Sequence, residues 1–186
     1  MIEELDMHLL DLVQNAYAAA PKRVDVSVLC DAADDRLTLV VADDGRGMDE
    51  ETLTAVERGY FSSKCRGCVG LGIPLLRQTA ERCDGRFEID SRSGKGTRVA
   101  AEFRRSHIDL PPFGDLAATF LNILVTAEGR RVSITYRCDD RELVIDTETV
   151  FELLDGLPIQ HPEVIRFLKT YIDERMETPR GGPDEA

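Results

Sequence analysis

Three polar residues, His8, Asp11 and Asn15, fall at i, i+3 and i+7 of a segment whose other periodic positions are apolar, so they share one helix face. Asp and Asn are mediocre inside helices, and the stripe has either solvent or a ligand as its cause. Further on, "DDGRGM" (43–48) fixes a carboxylate at the end of an apolar strand, with two glycines that let a backbone approach a ligand closely. It also reads as a plain turn. In "KCRGCVGLG" (64–72), Lys64 precedes Gly67, Gly70 and Gly72 ahead of an apolar helix. Amides of a glycine loop entering a helix suit phosphate, and Lys64 adds a charge. "SGKGT" (93–97) is either a second phosphate loop or, accounting for it better, a hairpin turn. Cys65 and Cys68 supply half of a structural zinc site, with Cys30 and Cys83 as the remaining candidates. Lys64 and Arg66 beside them would lower the thiol pKa and favour a disulfide switch. Incidental thiols in a loop are the third reading.

Taken in order, these elements resemble the GHKL ATPase superfamily: gyrase-type topoisomerases, heat-shock chaperone ATPases, histidine kinases and MutL-type repair proteins. The likeness covers about residues 5–103. Its N box, an acid four residues before an Asn on a helix, is matched by Asp11 and Asn15 in "DLVQN". Its D-x-G-x-G box is matched by "DDGRG" with Met48 following, its lid box by "CVGLG", and its late G-T box by "GKGT". The resemblance implies a Bergerat-type ATP-binding fold with ATP and Mg2+ as cofactors. It implies that Asn15 ligates the magnesium and that Asp43 accepts a hydrogen bond from the adenine amino group, directly and through water. Gly45, Gly47 and Met48 would lie against base and sugar. Lys64, Gly70, Leu71 and Gly72 would form the phosphate-binding lid, and Thr97 would sit near adenine's water network. Asp11 stands where hydrolytic members carry a Glu, one methylene longer, so its reach as a general base is reduced and fast hydrolysis is not expected. Cys68 replaces the first lid glycine, with Gly67 beside it.

The elements that must hold these residues are legible from periodicity. Residues 3–20 have Leu5, Leu9, Val13, Ala16 and Ala20 at helical spacing, and Pro21 ends the run. "RVDVSVLC" and "RLTLVVAD" alternate as a hairpin around "DAADD". Asp49 is placed to cap a short helix, and a helix follows over about 72–83. "GRFEIDS" and "RVAAEF" form a second hairpin, with Phe87, Ile89, Val99, Ala101 and Phe103 inward. Residues 1–105 therefore read as a two-layer α/β sandwich, helices on one face of a largely antiparallel sheet. "SHIDLPPFGD" (106–115) marks a boundary. Residues 106–176 read as a small α+β extension, a candidate partner-binding region, with helices at about 115–126, at 147–154 and after Pro162 around one hairpin. Residues 177–186 read as a disordered tail.

Composition sets limits on partners. The chain has 186 residues, is 42% hydrophobic and carries a formal charge of -12. Residues 1–105 hold 15 basic against 19 acidic side chains, and residues 106–186 hold 8 against 16. Such a surface repels a nucleic-acid backbone, and no apolar run nears the roughly 20 residues of a bilayer span. An acidic N-terminus and five cysteines favour a reducing cytoplasm over secretion. The N box begins almost at Met1, which leaves no room for the phosphoacceptor helix of a complete sensor kinase. His107 and His161 read as surface residues. Two readings follow. One is a regulatory ATP-binding module signalling to a protein partner. The other is a stand-alone protein kinase, like the anti-sigma serine kinases, acting on a phosphoacceptor protein. The wording "HLLDLVQNA" and the layout of the extension are also similar to small ATP-binding proteins encoded with iron hydrogenases.

Overall fold

Val24, Val26, Val28 and Cys30 alternate with polar neighbours along β1 (Arg23–Asp31), and Leu37, Leu39 and Val41 do so along β2 (Arg36–Asp43). Between them the Asp31 carboxylate accepts hydrogen bonds from the amides of Ala33 (2.8 Å) and Asp34 (3.0 Å). That local bond is what makes an acidic stretch a hairpin turn. The computed structural model describes residues 4–58, 72–139, 141–154 and 157–176. It continues with α2 (Glu50–Glu57), α3 (Gly72–Arg82), β3 (Arg86–Arg92) and β4 (Gly96–Arg104). Then come α4 (Leu116–Val125), β5 (Arg131–Cys138), β6 (Arg141–Asp146), α5 (Thr147–Leu153) and α6 (Pro162–Arg175), with α1 (Leu5–Ala18) leading the chain.

All six strands form one sheet in the order β3-β4-β2-β1-β5-β6. The register lines up the inward residues of neighbouring strands: Val28 beside Leu39 and Tyr136, Leu39 beside Ala101. One apolar face therefore runs across every strand, and α1, α3, α4 and α6 cover it. Full burial of each Val, Leu or Ile there contributes about 1.5–3 kcal/mol. This is the two-layer α/β sandwich that the sequence pattern predicts.

The hairpin of the 106–176 segment adds to that sheet instead of building its own. β5 pairs with β1 in parallel, Val24 opposite Val132 through Cys30 opposite Cys138. Its side chains enter the same core as those of residues 5–103. Helix α1 also ties the segments: Tyr17 donates to the Ile123 carbonyl at 2.9 Å, and Asp6 accepts from the Asp115 amide at 2.9 Å. Ala20, predicted to continue the apolar stripe, instead follows the helix at φ 53° and is exposed, because Pro21 ends the run.

The N-cap predicted at Asp49 is present, accepting from the Thr52 amide at 2.8 Å. His161 caps α6 through its ring nitrogen, accepting from the Glu163 amide. Among the described residues no helix is long and apolar enough to cross a membrane.

Candidate functional site

Where the apolar face reaches the end of β2, three inward positions in one cross-strand row turn polar: Asp43, Thr97 and Ser91. Asp43 and Thr97 line a cavity of about 200 Å³ together with Leu12, Asn15, Ala16, Val41, Met48 and Ile73, among others, and Ser91 is hydrogen-bonded to Thr97. Apolar walls with a few convergent polar groups are the usual make-up of a small-ligand pocket.

Asp43 sits on this floor. One carboxylate oxygen accepts from the Gly45 amide at 2.8 Å, and the Thr97 amide also donates to it. Burial raises the Asp43 carboxyl above the ordinary 3.8, and the two amides pull it partly back. Asp44 next door does different work. Its carboxylate takes the amides of Lys22 (2.7 Å) and Arg23 (2.8 Å), and these bonds hold its pKa below the usual range. Asp44 staples the loop to β1, and Asp43 is left for the cavity.

The loop of Gly45, Arg46 and Gly47 is clamped on both sides. The Arg46 amide donates to the Ala19 carbonyl (3.1 Å), and the Gly94 amide donates to the Arg46 carbonyl (2.7 Å). Gly47 adopts φ 62°, and a Cβ there would stand 2.0 Å from the Arg92 carbonyl oxygen. Only glycine meets both demands. The next amide, Met48, donates to Ser91 Oγ at 2.9 Å.

Helix α1 brings the polar stripe to the cavity mouth. Asn15 lines the cavity, and its side-chain amide donates to Asp11 Oδ2 at 3.0 Å. That bond turns the nitrogen end of the amide toward Asp11 and leaves Asn15 Oδ1 for a ligand. An uncharged hard oxygen of this kind suits Mg2+, so the residues present fit the ion. Asp11 packs on the first residue of α3: a Cβ on Gly72 would fall 1.7 Å from Asp11 Oδ2. His8, one turn earlier, is only 2% exposed, and neither ring nitrogen has a hydrogen-bond partner. Burial lowers its pKa below 6.5. Solvent is therefore not the cause of its place in the stripe.

Of the sequence-predicted site residues, Asn15, Asp43, Gly47, Met48 and Thr97 line this one cavity, with Gly45 in its loop and Asp11 and Gly72 against each other beside it. Lys64, Gly70 and Leu71 lie outside the described residues, as do Cys65 and Cys68. Cys30 lies in register with Cys138. Among the described residues no group of three or more His, Cys, Asp or Glu could hold a metal. Ser91 was not singled out by its sequence, although a polar residue at the inward parity of β3 was a usable signal. Ile73 and the small residues Ala16, Ala18 and Ala19 join the lining without a motif to mark them, and so does Arg46 at a variable position of the "DDGRG" box.

Known proteins share this arrangement of sequence. Sensor histidine kinase ZraS of Klebsiella oxytoca is 35% identical over 95 residues, which is 50% of this chain and 20% of that protein. Histidine protein kinase DivJ of Caulobacter vibrioides (strain ATCC 19089 / CIP 103742 / CB 15) is 37% identical over 97 residues, 50% of this chain and 16% of its own. The chain thus spans about a fifth of the length of these curated relatives. Among solved structures, the Aquifex aeolicus MutL ATPase domain complexed with ADP compares at a TM-score of 0.45 and 17% identity, covering 91% of this chain and 88% of that one. The family described as histidine kinase-, DNA gyrase B-, and HSP90-like ATPase matches residues 2–107, more than half of the chain, and the protein belongs to it.

Proposed function

We propose that this protein is an ATP-binding regulatory module that takes Mg-ATP and passes its occupancy to a protein partner. The observation that carries this reading is the placement of Asp43: an acceptor held by two amides on the floor of an apolar cavity, with Asn15 Oδ1 free at the mouth. The apolar walls suit a purine, and the fixed carboxylate suits its exocyclic amino group. A magnesium ion would neutralise phosphate charge, and Asn15 is the residue to hold it. Asp11 orients Asn15 through the 3.0 Å bond. With its carboxylate occupied there and crowded by Gly72, Asp11 is poorly placed to activate water, and slow turnover follows. Lys64 and the amides of Gly70 and Leu71 would serve the phosphates. The 106–176 segment, joined to the sheet through β1, is the proposed surface for the partner.

Calorimetric titration with ATP, with and without magnesium, tests the reading. Micromolar or tighter binding that weakens on removing magnesium supports it, and absence of ATP binding sinks it. Radiolabelled ATP incubated with candidate partner proteins separates the alternatives: label transfer indicates a protein kinase of the anti-sigma type, whereas recovery of intact ATP indicates a switch.

A further inference from the structure

Ser91 is 7% exposed, stands at the end of β3 opposite Thr97, and touches three groups. Its Oγ lies 2.9 Å from the Met48 amide nitrogen, 3.0 Å from the Gly96 carbonyl oxygen and 2.8 Å from Thr97 Oγ1. A serine hydroxyl has one proton to give and two lone pairs to receive. The Met48 N–H can only donate, so it takes one lone pair. The Gly96 carbonyl can only accept, so the Ser91 proton goes there; otherwise two oxygen lone pairs would face each other at 3.0 Å. What remains on Ser91 is one lone pair, and Thr97 must fill it. The Thr97 hydroxyl proton is therefore committed to Ser91, and Thr97 Oγ1 shows the cavity lone pairs alone. Beside it lies the Asp43 carboxylate, which also only accepts when ionised.

Two adjacent acceptors make a stricter demand than one. A carboxylate by itself does not exclude a 6-oxopurine, because the ring N1–H of that base is also a donor. A 6-oxopurine, however, sets a carbonyl oxygen next to its N–H, and the carbonyl would meet the lone pairs of Thr97 or of a water that Thr97 holds. A 6-aminopurine carries two N–H bonds on one exocyclic nitrogen and can give one to each of the two acceptors. Building on the ATP-binding reading above, we infer that Ser91 is a positioning residue that fixes the Thr97 hydroxyl as an acceptor, and so makes the site select a 6-aminopurine over a 6-oxopurine.

Ser91→Ala removes the acceptor for the Thr97 proton. Thr97 then regains a donor for the ligand, and discrimination should fall. The experiment measures equilibrium dissociation constants for ATP and for inosine triphosphate, which differ at the 6-position and N1, on the full chain. Wild type should prefer ATP by at least about tenfold, since a group facing like lone pairs is left unpaired. In Ser91→Ala that ratio should shrink severalfold, mainly through tighter relative binding of the inosine nucleotide. Ser91→Thr, which keeps the hydroxyl, should restore it. Parallel thermal unfolding reports whether each variant is folded. If Ser91→Ala does not fold, Thr97→Val, which deletes the oriented hydroxyl, must lose the preference in its place.

The inference is overturned if wild type binds both nucleotides alike. It is also overturned if Ser91→Ala weakens both equally, or if a folded Ser91→Ala or Thr97→Val keeps the wild-type ratio. In those cases ATP binding by wild type still stands. Failure of wild type to bind ATP at all would remove the ATP-binding reading and this inference together.

Discussion

Asn15 donates its side-chain amide to the carboxylate of Asp11, one helical turn earlier, at 3.0 Å. The bond decides which end of Asn15 faces a ligand. Asn15→Ala should abolish the magnesium dependence of ATP affinity. Asp11→Ala should retain part of that dependence but weaken it by roughly threefold to tenfold, the worth of one hydrogen bond of about 1 kcal/mol. Titrations with and without magnesium decide the matter. If Asn15→Ala kept its full magnesium response, the assignment of Asn15 as the ligand would be wrong.

Gly72 and Gly47 are both too close to neighbours for a side chain, yet their replacements should fail differently. The neighbour of Gly72 is the end of the Asp11 side chain, which can move. Gly72→Ala should therefore fold and lose affinity for Mg-ATP. The neighbour of Gly47 is the Arg92 backbone, and its own φ is positive. Gly47→Ala should cost upward of about 2 kcal/mol in stability. Denaturation curves alongside nucleotide titrations distinguish the two outcomes.

Affinity for ATP should depend on pH through Asp43. The carboxylate accepts only when ionised, and burial raises its pKa. Binding should thus be full near neutrality and decline as pH falls, with a midpoint above the ordinary 3.8. Asp43→Asn should remove the binding. Asp44→Ala should chiefly destabilise the loop, since that carboxylate holds Lys22 and Arg23. A binding curve that stays flat through the acid range in wild type would contradict the role given to Asp43.

His8 makes a prediction about stability. Its folded-state pKa is lowered by burial, whereas the unfolded chain takes a proton near 6.5. Above that pH both states are neutral and stability does not change on this account. Below it the unfolded state binds the proton first, and stability falls until the folded-state pKa is passed. His8→Leu should remove this acid-side loss and, by relieving unpaired ring nitrogens, raise stability at neutral pH by about 1 kcal/mol. Urea unfolding at several pH values is the measurement. An unchanged acid-side slope in the variant would locate the effect elsewhere.

Local patterns carried much of the structure. Alternation in "RVDVSVLC" and "RLTLVVAD" reports a half-buried hairpin because each strand needs only its own parity to show it. The parallel pairing of β1 with β5 left no such trace. A strand's alternation is the same whether its second edge is open or occupied, and Val24 meets Val132 across more than a hundred residues of chain. Asp6 is similar: an acid on α1 reads as surface until Asp115 and Thr119 close on it from α4. At the site, motif spacing found the loop of Gly45 and Gly47 but passed over Ser91. Its place follows from hairpin register rather than from any local motif.

The staple at Asp44 has a further consequence. It grips the amides of Lys22 and Arg23, and the Lys22 carbonyl in turn receives the Arg131 amide at 2.9 Å, the first residue of β5. The loop that follows β2 and the far segment of the chain are thus separated by a single peptide unit. A displacement of that loop has no slack in which to dissipate before it reaches the outer hairpin.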